Sequence, residues 1–474
     1  MSMDNNPIIV WFRRDLRISD NPALSEAVKT GQPVICLYIY EDEAPRPLGE
    51  ASLLWLHHSL KSLSVDLKKI GAKLYLRKGR AGSILNDIRT KTQAGSIYWN
   101  RRYEEAARER DKALKTDLSA QRIEVKSFRA NLLSEPWTVK TKTDGYYKVF
   151  TPYWRRAQDY IDISEPLHAP KNIQTYQGNL DSDVLLDWAL CPRNPNWAKK
   201  ILPHWSIGSD GAAKALEAFV EGSIEDYPDD RNRPDKETGT SRLSPHLAFG
   251  EISPKQIWHG CKNDMTKAQK FLAEIGWREF SYVLLFHNPK LATENFKPDF
   301  DKFEWNTDET ALQAWQMGQT GYPFVDAGMR ELWQTGWQHN RVRMVTASFL
   351  IKHLLIDWRN GEEWFWDTLV DADPASNAAS WQWVAGSGAD ASPYFRIFNP
   401  FTQGEKFDPN GDYVRKYVPE LKAMPNKFIH RPWEAPKQVM RQAGVELGKT
   451  YPNPIVDHKF ARERALGNYK NIRS

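Results

Sequence analysis

The 474-residue sequence has few cysteines and no long apolar run. Cys36, Cys191 and Cys261 lie far apart and form neither a disulfide nor a metal-binding pattern, which is typical of proteins in a reducing compartment. No stretch of about 18 apolar residues predicts a membrane span, and the N-terminus lacks the basic and apolar segments of a signal peptide. We therefore expect a cytoplasmic protein with no membrane segment, no iron–sulfur cluster and no metal site.

The sequence also lacks a large excess of positive or negative residues, since its net charge is only +5. This charge permits an acidic partner such as nucleic acid without requiring one. Aromatic residues are abundant instead, with 20 tryptophans, of which nine lie between Trp305 and Trp383. Indoles can fill a helical core, stack on bases, surround a ring cofactor or transfer electrons. Composition alone leaves these functions open.

The first 130 residues alternate short β-branched and aromatic runs with helical stretches. The runs are PIIVWF, QPVICLYIY, AKLYLR, GSIYWN and IEVKSF. Asn21 and Pro22 predict the start of the first helix, since Asn caps helices and Pro is tolerated in the first turn. This alternation predicts a parallel, doubly wound α/β sheet. The G-x-G-x-x-G fingerprint does not follow the first run, so a dinucleotide is expected to bind elsewhere.

The sequence predicts three segments. Residues 1–130 are expected to form the α/β domain. Residues 131–204 are richer in Pro, Asn and Tyr and are interpreted as an interdomain connector with helical pieces. Residues 205–474 have a helical period almost throughout and predict an all-α domain. The expected fold class is an N-terminal α/β domain followed by a C-terminal all-α domain.

Polar stretches interrupt the apolar helices of the second half. Residues 239–254, GTSRLSPHLAFGEISP, carry hydroxyl groups and an Arg before a helix, a combination that can bind a phosphate or simply cap helices. Arg343 is expected to pair with Asp371 or Asp373, because a buried charge needs a partner. Such a pair is either structural or part of the polar rim of a ligand site.

Residues 271–287, FLAEIGWREFSYVLLFH, have helical periodicity. Helical spacing places Glu274 near Arg278 and Trp277 near Ser281. A solvated ion pair is one interpretation of Glu274. The other is a carboxyl group beside a pocket that hydrogen-bonds a substrate carbonyl and has a raised pKa.

Several long motifs follow one another in a recognisable order. They are WFRRDLRISDNPAL, TSRLSPHLAFGEIS, WREF, TGYPFVDAGMR, GWQHNRVRM, ASFLIKHLLIDWR, WQWVAGSGADASPYFRIFNP and QGEKFDPNGDYVRKYVPEL. Along essentially its whole length the sequence resembles the DNA photolyase/cryptochrome family, most of all the bacterial cyclobutane pyrimidine dimer photolyases of class I or class III. WLHHSL and WNRRY resemble the class III branch, which is near the plant cryptochromes.

The resemblance implies an antenna domain at the N-terminus and an FAD-binding catalytic domain at the C-terminus. It implies a deoxyribodipyrimidine photo-lyase, a carbon–carbon lyase in which blue light drives an electron from reduced FAD to a flipped-out dimer in UV-damaged DNA. The electron returns after the cyclobutane ring splits. A monomer is expected. Such an enzyme needs no metal, because the cofactor carries the chemistry and the protein positions it.

The matching motifs also imply functional residues. Catalytic roles fall to Glu274, Asn377, Trp277 and Trp383, and electron transfer to Trp381, Trp358 and Trp315. FAD is expected to contact Tyr227, Thr240, Ser241, Arg242, Leu243, Ser244, Phe271, Asn340, Arg343, Asp371, Ala372, Asp373 and Asn377. Asn377 would face the flavin N5. DNA is expected to contact Arg231, Glu274, Trp277, Arg278, Ser281, Asn340, Arg341, Met344, Trp383 and Gln403.

The antenna chromophore is less determined. Methenyltetrahydrofolate is favoured, and Tyr40, Glu41, Glu43, Trp55 and His58 are the candidate contacts. Ala106 and Ala107 replace the Asn-Glu pair of one folate-binding branch, so a folate bound as in that branch is not expected. A deazaflavin, a flavin or no antenna chromophore stay open as alternatives.

In the FAD site, Phe271 stands where many relatives have Trp, which preserves bulk but removes an N–H donor.

Three alternatives were compared with dimer repair. A (6-4) photolyase would carry histidines where this chain has Asn340 and Met344. A cryptochrome-type blue-light receptor often has an extended C-terminal tail, whereas this sequence ends soon after its last family motif. A flavin-binding protein without repair activity is the third alternative. Retention of Glu274, Trp277 and Trp383 favours repair.

Overall fold

A computed structural model describes residues 6–41, 44–162, 164–391 and 395–472. The strands are β1 Ile8–Phe12, β2 Val34–Tyr40, β3 Leu74–Lys78, β4 Ser96–Asn100 and β5 Glu124–Phe128. The α-helices are α1 Pro22–Lys29, α2 Glu50–Lys69, α3 Ala81–Thr92, α4 Glu105–Ala120, α5 Phe150–Ala157, α6 Ala198–Ile201, α7 Ser209–Gly222, α8 Tyr227–Asp230, α9 Ser244–Phe249, α10 Pro254–Gly260, α11 Met265–His287, α12 Glu309–Gln316, α13 Pro323–Thr335, α14 Asn340–Ser348, α15 Trp358–Thr368, α16 Ser376–Ala385, α17 Pro400–Phe407, α18 Asp412–Tyr417, α19 Asn426–Ile429, α20 Lys437–Gln442 and α21 His458–Asn471. Short 3₁₀ helices cover Gln158–Tyr160, Leu185–Trp188, Leu202–His204, Lys262–Asp264, Pro298–Lys302, Pro419–Leu421 and Pro432–Glu434, and a π-helical turn covers Phe349–His353.

The strands of the described chain form one parallel sheet in the order β3-β2-β1-β4-β5. In the central strand, Ile8 lies opposite Val34 of β2 on one side and Ser96 of β4 on the other. Every residue of β1 is buried, as expected where helices cover both faces of a parallel sheet. The predicted doubly wound α/β sheet is confirmed.

Side chains that follow the central strands fix the first helix. Asn21 caps α1 by accepting from the backbone N–H of Leu24 at 3.1 Å. The Asn100 amide donates to Oδ1 of Asn21 at 2.8 Å and to Oδ2 of Asp15 at 2.6 Å. The predicted helix start at Asn21 and Pro22 is therefore confirmed.

The chain divides into two compact units. The first unit comprises residues 1–222 and 242–289, and the second comprises residues 223–241 and 290–474. The first unit contains the sheet with α1–α7 and α9–α11, around a core that includes Trp11, Leu37 and Trp99. The described part of the second unit contains α8 and α12–α21 around a core that includes Trp315 and Trp381. The predicted boundaries near residues 130 and 205 stay a prediction.

Candidate functional site

An ion pair in the second unit joins α14 to the segment before α16. Nη2 of Arg343 donates to Oδ2 of Asp371 at 2.8 Å, and Nε donates to the backbone oxygen of Gln338 at 2.6 Å. Asp371 and the neighbouring Ala372 are buried, whereas Arg343 is partly exposed. Of the two partners that the sequence offered for Arg343, the structure places Asp371 within reach.

Asp373 fixes the start of α16, and Glu362 orients the side chain in its first turn. Asp373 Oδ1 accepts from the backbone N–H groups of Ala375 at 3.0 Å and Ser376 at 2.8 Å. The amide nitrogen of Asn377 donates to both the backbone oxygen and Oε1 of Glu362, each at 2.9 Å. Both amide hydrogens are thus used, and the side-chain oxygen of Asn377 is left to accept from a ligand. Glu362 was not among the residues predicted from the sequence.

His339, which precedes α14, carries a buried donor. Its Nδ1 accepts from the backbone N–H of Arg341 at 3.1 Å, so the neutral ring has its hydrogen on Nε2. Burial, with further contributions from Arg341 and Arg343, lowers the pKa of His339 to about 3. Nε2 has no hydrogen-bond partner among the described residues. Because an unsatisfied buried donor costs about 1–3 kcal/mol, this N–H fits a site that a polar ligand completes.

Cationic and aromatic side chains form a partly exposed surface on the same unit. Arg341 donates to Oδ1 of Asn232 at 3.2 and 2.5 Å, and its guanidinium lies 4.5 Å from the Phe407 ring. Arg231 lies over Tyr227 at 5.5 Å. Burial lowers the pKa of Arg341, and the nearby Arg231 lowers it further. A pair of neighbouring cations of this kind suits a phosphate backbone.

The remaining candidates of the second unit differ in exposure. Tyr227 is buried, and Asn340 is exposed at the start of α14. The partly exposed candidates are Thr240, Ser241, Met344, Trp383 and Gln403.

The tryptophans of the predicted electron-transfer chain are all deeply buried. Trp381 is 2% exposed and its ring meets that of Trp315, which is 0% exposed, edge-on at 6.2 Å. Trp358 is also 0% exposed and donates from Nε1 to Asn295 at 3.0 Å. A side chain at Gly361 on α15 would collide with the Trp381 ring. None of the three indoles therefore provides an end at the protein surface.

A fourth tryptophan of this unit is partly exposed. Trp305 packs on Phe303 with ring centroids 4.4 Å apart. The next residue, Asn306, donates its backbone N–H to the oxygen of Leu355 at 2.6 Å, three residues before Trp358. Sequence reasoning did not select Trp305, because this backbone pairing is a tertiary contact without a local signal.

In the first unit, α11 displays its predicted residues beside α5. The Trp277 ring stacks on Phe150 with centroids 3.9 Å apart and planes at 10°. Arg278 donates to the backbone oxygen of Asn131 at 2.7 Å, and buried Ser281 donates to the backbone oxygen of Trp277 at 2.9 Å. Glu274 is partly exposed and lies 3.9 Å from Lys270. The Phe150 partner of Trp277 was not anticipated from sequence.

The predicted phosphate segment continues into the first unit. Arg242 has a positive φ of 52° and lies 4.4 Å from the Trp205 ring. Leu243 is buried and Ser244 begins α9. The side chain that caps a helix in this stretch is Ser253, which accepts from the Gln256 backbone at the start of α10. The predicted flavin contact Phe271 is buried 4.6 Å from the Phe219 ring.

The antenna candidates occupy different environments. Tyr40, at the end of β2, packs on Trp188 at 5.5 Å, and Glu41 pairs with Arg110. Trp55 is fully buried and donates to Glu251 at 3.1 Å, so its ring packs the core. His58 is partly buried. Glu43 lies outside the described residues.

Family comparisons assign both halves of the chain. Residues 8–171 match the family model described as DNA photolyase, and residues 271–471 match the FAD binding domain of DNA photolyase. The chain belongs to the DNA photolyase family. The predicted family membership and the predicted FAD-binding domain are therefore confirmed.

Individual relatives of this photolyase-family chain include proteins named as photolyases and as cryptochromes. A deoxyribodipyrimidine photo-lyase of Agrobacterium fabrum is 53% identical over 100% of this chain and 99% of that protein. Cryptochrome-1 of Arabidopsis thaliana is 40% identical over 96% of this chain and 69% of that protein. The crystal structure of a bacterial class III photolyase from Agrobacterium tumefaciens superposes with a TM-score of 0.96, at 53% identity over 100% of this chain and 99% of that one. The predicted α/β plus all-α fold class is confirmed.

The described residues contain no candidate membrane span and no candidate metal site. No helix there is long and apolar enough to span a membrane. No group of three or more His, Cys, Asp or Glu side chains there could hold a metal ion.

Proposed function

We propose that this photolyase-family protein is a deoxyribodipyrimidine photo-lyase that repairs cyclobutane pyrimidine dimers in UV-damaged DNA under blue light. The observation that carries the proposal is the 53% identity, over the whole chain, to a protein of that name. The cryptochrome relative is less similar and longer, so a blue-light receptor is the second candidate. We further propose that the enzyme acts as a cytoplasmic monomer.

The second unit supplies groups that fit FAD. The Asn377 oxygen is oriented by Glu362, the Arg343–Asp371 pair offers both a donor and an acceptor, and the His339 Nε2–H needs an acceptor. When bound, FAD supplies and takes back the single electron with which light splits the two cyclobutane bonds, so there is no net oxidation. The polypeptide holds these donors and acceptors in place.

We propose that Trp277 of the first unit stacks on the extruded dimer, and the DNA contact expected of Trp383 stays a prediction. Photolyases belong to the enzymes that take a damaged base out of the duplex, and each base stacked on an aromatic ring contributes about 1–3 kcal/mol. The parallel stack of Phe150 beneath Trp277 supports this role, because it fixes the indole plane. Glu274 is proposed to hydrogen-bond a dimer carbonyl, and Arg231 and Arg341 to bind phosphates.

We propose Trp305 as the surface end of the electron-transfer chain. Trp381 and Trp358 stay the inner members, as the family resemblance implies. Trp315 is fully buried against Trp381, whereas Trp305 is partly exposed and its neighbour Asn306 pairs with the segment leading into Trp358. Short hops between rings that end at a solvent-exposed indole are better suited to photoreduction than a chain that ends in the core.

The antenna chromophore is proposed to be methenyltetrahydrofolate, with a deazaflavin as the alternative. Tyr40 and Glu41 lie at the carboxyl end of β2, the edge at which doubly wound sheets bind ligands. Extraction of the bound pigments, followed by absorbance and mass measurement, identifies the chromophore.

The proposed function is tested by illuminating the purified protein, with its flavin reduced chemically beforehand, in the presence of a dimer-containing oligonucleotide. Dimers should disappear under blue light and persist in the dark, as measured by the recovery of pyrimidine absorbance. Undiminished dimers with reduced flavin bound would contradict repair. Photoreduction of oxidised flavin in a parallel sample, together with no repair by the reduced protein, would favour the receptor.

A further inference from the structure

A row of four touching aromatic rings lies on the first unit, and we name it the aromatic strip: Trp137, Phe286, His287 and Tyr146. Trp137 and Phe286 have centroids 5.3 Å apart, Phe286 and His287 are 5.1 Å apart, and His287 stacks on Tyr146 at 4.2 Å and 5°. Trp137 is 42% exposed and His287 is also exposed. We propose that the aromatic strip binds single-stranded DNA next to the lesion pocket, by which we mean the face of Trp277 on which the dimer is proposed to stack.

Cations accompany these rings. The Arg108 guanidinium lies 4.1 Å from the Phe286 ring and donates to the Phe286 backbone oxygen at 3.1 Å. The Lys148 ammonium lies 5.7 Å from the Tyr146 ring. Proteins that bind single strands without sequence preference combine stacking rings with cations that follow the backbone. Because every base has a π face, the aromatic strip would accept any sequence.

His287 is suited to stacking as a neutral ring. Partial burial of the ring, and then the neighbouring Arg108, lower the pKa of His287, while its hydrogen bond to the backbone of Pro136 opposes this shift. The parallel contact with Tyr146 leaves the opposite face of the imidazole for a base. Charge for binding phosphates then comes from Arg108 and Lys148.

The aromatic strip and the proposed lesion stack share α11 and the segment that leads into α5. Trp277 lies near the middle of α11, whereas Phe286 and His287 lie at its end. Ten helical residues span about 15 Å, roughly four nucleotide steps of a B-DNA strand. Tyr146, at the opposite end of the strip from Trp137, lies four residues before Phe150 in the sequence. Phe150 stacks directly on Trp277. A strand whose dimer occupies the lesion pocket therefore has its neighbouring nucleotides within reach of the aromatic strip. The inference that the strip lies beside a bound dimer rests on the proposed function, in which the dimer stacks on Trp277.

The test measures the affinity of the flavin-loaded protein for three ligands. These are an undamaged single strand of about 12 nucleotides, within the usual site size, the same strand with one central dimer, and the isolated dinucleotide dimer. Trp137→Ala and His287→Ala should each weaken binding of both strands about five-fold or more. Binding of the isolated dimer should not change. His287→Tyr, which keeps a stacking ring, should bind nearly as the native protein does.

Trp333→Ala is the matched control, since Trp333 is 50% exposed on the second unit, outside both sites. Unchanged affinity of the Trp137→Ala and His287→Ala variants for both strands would overturn the proposal. So would an equal loss for the isolated dimer, because the substitutions would then have disturbed the lesion pocket. Weaker binding of the undamaged strand, with no change in the Trp333→Ala control, supports the aromatic strip even if the native protein repairs no dimer, which separates this proposal from the proposed function.

Discussion

Asn377 has its amide hydrogens bound by Glu362, so the side chain can offer only an oxygen to a ligand. Its partner lies 15 residues earlier in the chain, on α15. A single amide could otherwise rotate and present a donor or an acceptor. Glu362 is therefore a positioning residue, and it acts by removing one of these two orientations.

Substitution of Trp305 and substitution of Trp315 should slow the photoreduction of FAD to different extents. Trp305→Phe should slow the photoreduction of oxidised FAD strongly, because phenylalanine cannot serve as the exposed oxidisable end. Trp315→Phe should have a smaller effect, since the fully buried Trp315 ring has no contact with solvent. The measurement is the loss of oxidised-flavin absorbance under blue light with an external reductant.

Trp381→Phe, at the inner end of the same chain, should block photoreduction but leave repair nearly intact in protein that was reduced chemically. A larger effect of Trp315→Phe than of Trp305→Phe would instead restore Trp315 as the terminal member. Persistence of photoreduction in Trp381→Phe would show that electrons enter by another route.

At the scale of elements, α15 and α16 pack closely because Gly361 leaves room for the Trp381 ring. Gly361→Ala should lower the free energy of unfolding by about 1–3 kcal/mol, the usual cost of overpacking a core. Urea unfolding measures this change. Gly467→Ala on α21 is the control, because a side chain there meets no atom within 4 Å, and Ala stabilises an exposed helix position by about 0.5–1 kcal/mol. Equal effects of the two substitutions would contradict the packing argument.

The elements themselves were largely predictable from the sequence. The β-branched runs predicted the strands, and Asn21 predicted the start of α1, because period and capping are local properties. The pairs that build the site were not predictable. Phe150 stacks on Trp277 and Asn306 pairs with Leu355 only because distant elements pack together, and no local pattern encodes which faces meet. Family resemblance supplied the functional residues that spacing left undecided.

At the scale of the whole molecule, stability should depend on the protonation of Glu279. Its Oε2 accepts from the backbone N–H groups of Leu133 at 2.8 Å and Ser134 at 3.2 Å, yet burial raises the pKa of Glu279 to about 7. An unfolded glutamate has a pKa of about 4.3. The folded state thus binds the proton more tightly, and this contribution to stability is present below about pH 4 and is lost as the pH rises through about 7.

Glu279→Gln keeps a neutral side chain and should remove that contribution. The free energy of unfolding of the native protein should fall more steeply between about pH 5 and 7 than that of the variant. Urea unfolding at several pH values checks the difference between the two curves. Parallel curves would show that Glu279 is ionised in the folded protein throughout this range.

The contact between Gly361 and Trp381 also constrains how this lineage can change. While the indole is present, any larger residue at position 361 is selected against, even though Gly361 itself takes no part in electron transfer. Loss of the indole would release that constraint, and a side chain could then accumulate at position 361 by drift. Once it had done so, a tryptophan could no longer return at position 381 by a single substitution. Loss of Trp381 therefore becomes hard to reverse once a side chain has replaced Gly361. The order of these two mutations decides whether the electron-transfer chain can be regained.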